Sequence, residues 1–239
     1  MNIYEPLHDS MGLPIVIQAS VLVSLVIVAC GFAIRRQLAQ AGGGIIPDEG
    51  LSIRNLFEVL VEALAGICEE RLGPDWRKYF PIVATLFFFI LVGNLMGLLP
   101  GIGGPTADAN TTWAWAVIAW LVYTVVGIVK HKHKYLVKFM GPSFFEKEMF
   151  GRKVHFRLLM PFFLILEIPL DLARIGTLAV RLLANMYADH LVIAIWITLV
   201  PIGIPAIFMG LGLLISCLQA FIFALLTMIY IGLALDEPH

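Results

Sequence analysis

The chain has 239 residues, of which 60% are hydrophobic and only 14% charged, with 16 Lys and Arg against 17 Asp and Glu and a mean hydropathy of +0.91. A soluble domain carries roughly a quarter charged residues, so a water-soluble globule is excluded and the chain reads as a membrane protein. The balanced charge also argues against a nucleic-acid partner, whose basic footprint would shift it.

Apolar runs of about 20 residues mark membrane crossings. After an N-terminal segment, residues 1–12, the first charge-free run covers 13–34. It lacks a basic leader and ends on Arg35 and Arg36 instead of a small-residue cleavage site, so it reads as an uncleaved span and not a signal peptide. Gly42–Gly44 reads as a flexible joint. In residues 51–72, Ile53, Leu56, Phe57, Leu60, Val61, Leu64 and Ile67 recur at helical spacing among Arg54, Glu58, Glu62 and Glu69. This predicts an amphipathic interfacial helix, on the membrane surface or against a partner.

The second and third spans are placed at 79–100 and 109–129, within charge-free runs. Gly93, Gly97 and Gly101, spaced by four, suggest close helix packing. Asn110–Thr112 match a glycosylation sequon but equally suit the cap of the third span, and capping is the safer reading. A basic loop follows at 130–157. Within it, His131 and His133 alternate with three lysines, which repel a cation, so a topogenic patch is a better account than a metal site. The last charge-free run, 191–235, is too long for one crossing and is interrupted by Pro201, Gly203 and Pro205. Residues 158–200 and 206–235 are therefore expected as a helical hairpin, giving an all-α, single-domain polytopic membrane protein with five membrane helices. Cys30, Cys68 and Cys217 are far apart and read as buried small hydrophobes.

No Lys or Arg precedes Arg35, whereas six lie between Arg35 and Lys78 and eight between Lys130 and Arg157. The positive-inside rule then puts the N-terminus outside and the basic loops and C-terminus in the cytoplasm. Only Arg174 and Arg181 remain, both within the fourth apolar segment alongside Glu167, Asp171 and Asp189. Each ionisable group at mid-bilayer costs about 2.5–3.5 kcal/mol on insertion scales. On a helix, Glu167, Asp171, Arg174, Arg181, Asn185 and Asp189 fall within roughly 80° of one another, with His190 on another side. Glu167, Asp171 and Arg174 are close enough to pair among themselves. Arg181 has no acid three or four residues away, only Asn185. Its guanidinium calls for a carboxylate from elsewhere, and the other spans of this chain offer none.

The run Arg181-Leu182-Leu183-Ala184-Asn185-Met186-Tyr187-Ala188 resembles the signature of subunit a of F-type ATP synthases, as does Leu218-Gln219-Ala220-Phe221-Ile222-Phe223 in the last helix. Asn94–Pro100 and Pro105–Thr111 are similar to the family's loop after its second span. The resemblance implies a stator channel of the bacterial inner membrane. Two half-channels would carry protons or Na+ to and from the carboxylates of a c-subunit ring, and peripheral-stalk b subunits and a soluble ATPase head would complete the complex. It further implies that the last two helices form a long tilted hairpin against the ring, and that Gln219 lies near Arg181, where its amide could hold the guanidinium.

Arginine stays protonated in a protein, so Arg181 would attract a passing carboxylate and block leakage without relaying protons. Glu167 and Asp171 lie toward the cytoplasmic half-channel, and Asn185, Asp189 and His190 toward the outer one. On the returning helix Ser216, Gln219, Phe223 and Tyr230 share a face. Many bacterial relatives have a glutamate where His190 stands, and their usual ionisable partner position is Gly212 here; Asp189 could supply the missing acid, or water could fill the glycine gap. No catalytic residue, metal site or cofactor is expected. The competing reading is a self-contained secondary transporter binding substrate at Glu167, Asp171 and Arg174, but it would normally show internal repeats.

Overall fold

A computed structural model describes residues 14–40, 52–99, 102–132, 145–149, 152–156, 160–200 and 203–235. The N-terminal segment, the Gly42–Gly44 joint, Gly101, His133 to Lys134, Pro201 and the C-terminal four residues lie outside them.

The helices are α1 (Ile15–Gln40), α2 (Ile53–Leu72), α3 (Trp76–Gly97), α4 (Ala109–His131), α5 (Met160–Leu199) and α6 (Ile204–Leu235). Short 3-10 turns, Gly73–Asp75 and Pro105–Ala107, precede α3 and α4. Among the described residues, five helical stretches are long and apolar enough to cross a membrane. Within the basic loop the strands β1 (Phe145–Met149) and β2 (Arg152–Phe156) form an antiparallel hairpin in which Met149 pairs with Arg152. This adds one small sheet to a helical architecture that helical periodicity alone did not foretell.

Ser52 caps α2, accepting from the Arg54 N–H at 3.3 Å, and Gly73 ends it at a φ of 67°, which a side chain rarely adopts. The helix is amphipathic, and its buried stripe runs through Leu64, Cys68 and Leu72. Leu56 and Val61, expected on that stripe, are exposed. The stripe meets the chain's own last helix: Cys68 Sγ stands 3.2 Å from Met228 Sδ, and a Cβ at Gly232 would lie 3.3 Å from the Arg71 carbonyl. Phe57 also stacks on Phe88 of α3 with centroids 5.0 Å apart. Of the other cysteines, Cys30 is half-buried and Cys217 is exposed, so the expectation of three buried thiols holds only for Cys68.

The cap of α4 is Asp108, which accepts from the Asn110 N–H at 2.8 Å, so Asn110–Thr112 lie inside the helix and do not cap it. An aspartate two residues before a free N–H competes well for that role. Gly93 and Gly97 do permit close approach, of the segment preceding α4 and, at Gly97, of the His190 side chain on α5. A Cβ at Gly104 would be 2.7 Å from Gly97 Cα and 2.9 Å from the Gly93 carbonyl oxygen.

The 40 residues of α5 span about 60 Å at 1.5 Å per residue, twice the hydrocarbon thickness of about 30 Å. The reversal into α6 passes through Gly203 at a φ of 94°. Helix α6 starts at Ile204, two residues before the expected Ala206, because a proline at 205 fits a first turn whose N–H groups are unpaired anyway. Trp196 stacks on Phe208 at 5.8 Å to close the hairpin. The core is centred on α6, with Ala220, Phe223, Ala224, Met228 and Ile231 buried against α3, α4 and α5. Helix α1 is peripheral, burying Ala19 and Val23 while Leu25, Val28 and Phe32 stay exposed.

Candidate functional site

The polar side chains of α5 divide into three levels. At the first, Asp171 is buried and accepts from three donors: Trp120 Nε1 at 3.1 Å, Tyr123 Oη at 3.3 Å and Arg174 Nη1 at 3.2 Å. The Arg174 guanidinium lies 5.6 Å from the Tyr230 ring centroid, a cation-π distance, and Tyr230 in turn packs on Tyr123 at 5.6 Å. Three helices thus converge on one ion pair. Glu167 is one helical turn earlier in α5.

At the second level Arg181 is exposed, and among the described residues no hydrogen bond or ion pair reaches it. Small residues line the flank beside it, with Ala173, Thr177, Ala184 and Ala188 all exposed. Gln219 is buried and its Oε1 accepts from Asn185 Nδ2 at 2.9 Å. The expected bond from Gln219 to Arg181 is therefore replaced by one to Asn185. The physical reason is burial: an amide inside the hairpin must be satisfied there, while a guanidinium on the outer face need not turn inward. Such interhelical bonds contribute about 0.6 kcal/mol on average in membranes, so this one sets register more than stability.

The third level gathers buried polar atoms that lack partners among the described residues: both amide atoms of Asn94, Thr106 Oγ1, Asp189 Oδ2, His190 Nε2 and Ser216 Oγ. They come from α3, the Pro105–Ala107 turn, α5 and α6. Glycines let them approach. A Cβ at Gly97 would stand 2.9 Å from His190 Nε2, and one at Gly93 would stand 3.2 Å from Thr106 Cγ2. At Gly212 a Cβ would meet Leu98 Cδ2 at 2.6 Å and Asp189 Oδ2 at 3.5 Å. The glycine gap is thus occupied by Leu98 and bordered by the Asp189 carboxylate. Ser216, Gln219 and Phe223 share the buried face of α6, with Tyr230 farther along it. Asn94 and Thr106 entered the sequence reading only within the loop runs that carry the resemblance, and Trp120 and Tyr123 not at all. Asn94 was detectable as a lone amide in a charge-free span; the others depended on which helices meet.

A polytopic helical membrane protein with an unpaired arginine at mid-helix, flanked by two polar clusters, is the class that fold and site define. The family model for the ATP synthase A chain matches residues 17–232. ATP synthase subunit a 1 of Syntrophotalea carbinolica is 38% identical over 218 residues, covering 91% of this chain and 84% of that protein. The subunit a of Geobacter sulfurreducens is 41% identical over 187 residues (78% and 76% covered), and that of Geotalea uraniireducens is 34% identical over 239 (100% and 95%). The chain belongs to the ATP synthase A chain family.

Proposed function

We propose that this chain is the stator subunit of an F-type ATP synthase that passes protons or Na+ through two offset half-channels to and from the carboxylates of a c-subunit ring. The observation that carries the reading is Arg181, an intramembrane guanidinium with no partner among the described residues, flanked by the exposed small residues Ala173, Thr177, Ala184 and Ala188. A permanent positive charge in hydrocarbon needs a carboxylate, and small neighbours let a rotor helix come close enough to bring one. Each arriving carboxylate is held ionised at Arg181, which cannot itself carry a proton between the half-channels.

The orphaned polar atoms around Asp189 and His190 support an outer half-channel, since such atoms suit a water-lined path. His190, against Gly97, and Asp189, beside Gly212, supply two acid-base groups to that path. Glu167 serves the cytoplasmic side. In this reading the subunit catalyses nothing alone: rotation of the ring is used by the soluble ATPase head, and peripheral-stalk b subunits hold the stator in place. In the same reading α2 and the β-hairpin lie at the cytoplasmic face of a bacterial inner membrane, with the N-terminus outside and the C-terminus inside, which the basic loops support. A self-contained transporter is disfavoured because Asp171 and Arg174 already satisfy each other. Copurification of the chain with a c-ring and ATPase head in one detergent complex tests the assignment; transport by the isolated chain in vesicles would contradict it.

For topology, Thr106 is a poor probe because it is buried. With the native cysteines replaced, Ala109→Cys, at an exposed site, should react with an impermeant thiol reagent only from outside, and Lys134→Cys only from the cytoplasm. The opposite labelling would invert the half-channel assignment.

Glu167→Gln should slow coupled transport by impairing the cytoplasmic path, and His190→Ala should impair the outer one. The rate of ATP-driven pumping between about pH 6 and 8 decides the second. Unchanged activity across that range removes His190 from the relay and leaves Asp189 or water as the carrier.

A further inference from the structure

Two guanidiniums stand on α5 seven residues apart, about 10 Å along the helix and within roughly 20° of the same side. They are not equivalent. Arg174 is held by Asp171 at 3.2 Å and lies over Tyr230, whereas Arg181 has no partner among the described residues. Asp171 is anchored independently of Arg174, by Trp120 and Tyr123 from α4. Its carboxylate is thus held in place by α4 whether or not Arg174 is present.

We infer that Asp171 is a positioning residue that neutralises Arg174, leaving Arg181 as the single uncompensated positive charge that a passing ring carboxylate meets. This rests on the proposed role of Arg181 and adds a specificity element to it. A carboxylate moving along α5 is attracted by any unpaired guanidinium, and two such sites about 10 Å apart would hold it in two places. Pairing one of them within the chain removes that second stopping point. Trp120 and Tyr123 fix the Asp171 carboxylate so that it follows Arg174 and not the rotor, and the Tyr230 ring limits where the guanidinium can swing. Asp171 therefore differs from Glu167 in kind. It acts through Arg174 and does not relay the transported ion.

The test uses the intact membrane complex, with assembly confirmed by copurification of ring and head. Asp171→Asn preserves the shape and an acceptor for α4 but frees the Arg174 charge, and ATP-driven pumping should fall at least about tenfold. Adding Arg174→Gln to it should bring pumping back to within about threefold of wild type. If Asp171→Asn does not assemble, the double variant decides alone: assembly with near-normal pumping supports the inference, and failure in either respect overturns it.

A second measurement separates charge compensation from simple packing. In head-depleted vesicles carrying Arg181→Ala, adding Asp171→Asn should reduce passive ion leakage at least about threefold, because the freed Arg174 charge then obstructs the path. A purely structural role for Asp171 leaves that leak unchanged or larger, and either result overturns the inference. Absence of any leak in Arg181→Ala itself would instead sink the role of Arg181, and the inference with it.

Discussion

Complexes carrying Arg181→Ala should assemble, lose coupled pumping and leak ions passively in vesicles stripped of the ATPase head. Removing the guanidinium leaves nothing to hold the ring carboxylate ionised at the boundary between half-channels, so an occupied ring site crosses directly without a full rotation. Burial of the side chain does not confound the result, because Arg181 is exposed on α5 and bonded to no described residue. Arg181→Lys is the sharper variant. Lysine keeps a positive charge in water but loses it readily when desolvated, and its ammonium cannot form the planar two-pronged contact of a guanidinium. Pumping should be lost even though the nominal charge is retained. A lysine variant that pumps at the wild-type rate, or an alanine variant that stays coupled, would show that Arg181 is not the fixed charge proposed.

Gly104→Val should prevent the segment before α4 from docking and sharply reduce the amount of assembled subunit. The added Cβ would lie 2.7 Å from Gly97 Cα, 2.9 Å from the Gly93 carbonyl oxygen and 3.1 Å from the Gly97 nitrogen. All three are backbone atoms of α3, so no side chain can rotate away to relieve the clash. Overpacking typically costs about 1–3 kcal/mol. With only backbone opposing it, this site belongs near the upper end, where about 3 kcal/mol shifts a folding equilibrium by roughly 150-fold. The adjacent Gly103→Ala is the control, since its Cβ would meet nothing within 4 Å. Subunit yield and thermal stability in the purified complex provide the measurement. Equal values for the two variants would show that the close approach of Gly104 to Gly93 and Gly97 is dispensable.

Much of the architecture was legible without coordinates because the membrane imposes one-dimensional rules. Apolar length marks the crossings, the break at residues 201–205 marks the hairpin reversal, and helical spacing marks the amphipathic α2. The lack of a local acidic partner for Arg181 was also readable. No acid occurs three or four residues away, and both that local spacing and the scarcity of charge elsewhere are properties of the linear chain. The same spacing brought Asp171 and Arg174 within pairing distance, and the pair forms.

What the sequence could not decide is every partnership between helices distant along the chain. Gln219 was expected to turn toward Arg181, yet its bond goes to Asn185, because hairpin register determines which amides are buried together. Trp120 and Tyr123 gain their role only because α4 crosses α5 at Asp171. The spacing of Gly93 and Gly97 signalled close approach, but the approaching segment proved to be the one around Gly104, with His190 against Gly97. The physical reason is common to all three. Hydropathy records whether a residue faces oil or water, and helical period records which neighbours share its face. Which polar atoms meet inside a bundle depends on helix crossing and depth, and those arise only when all the helices pack together.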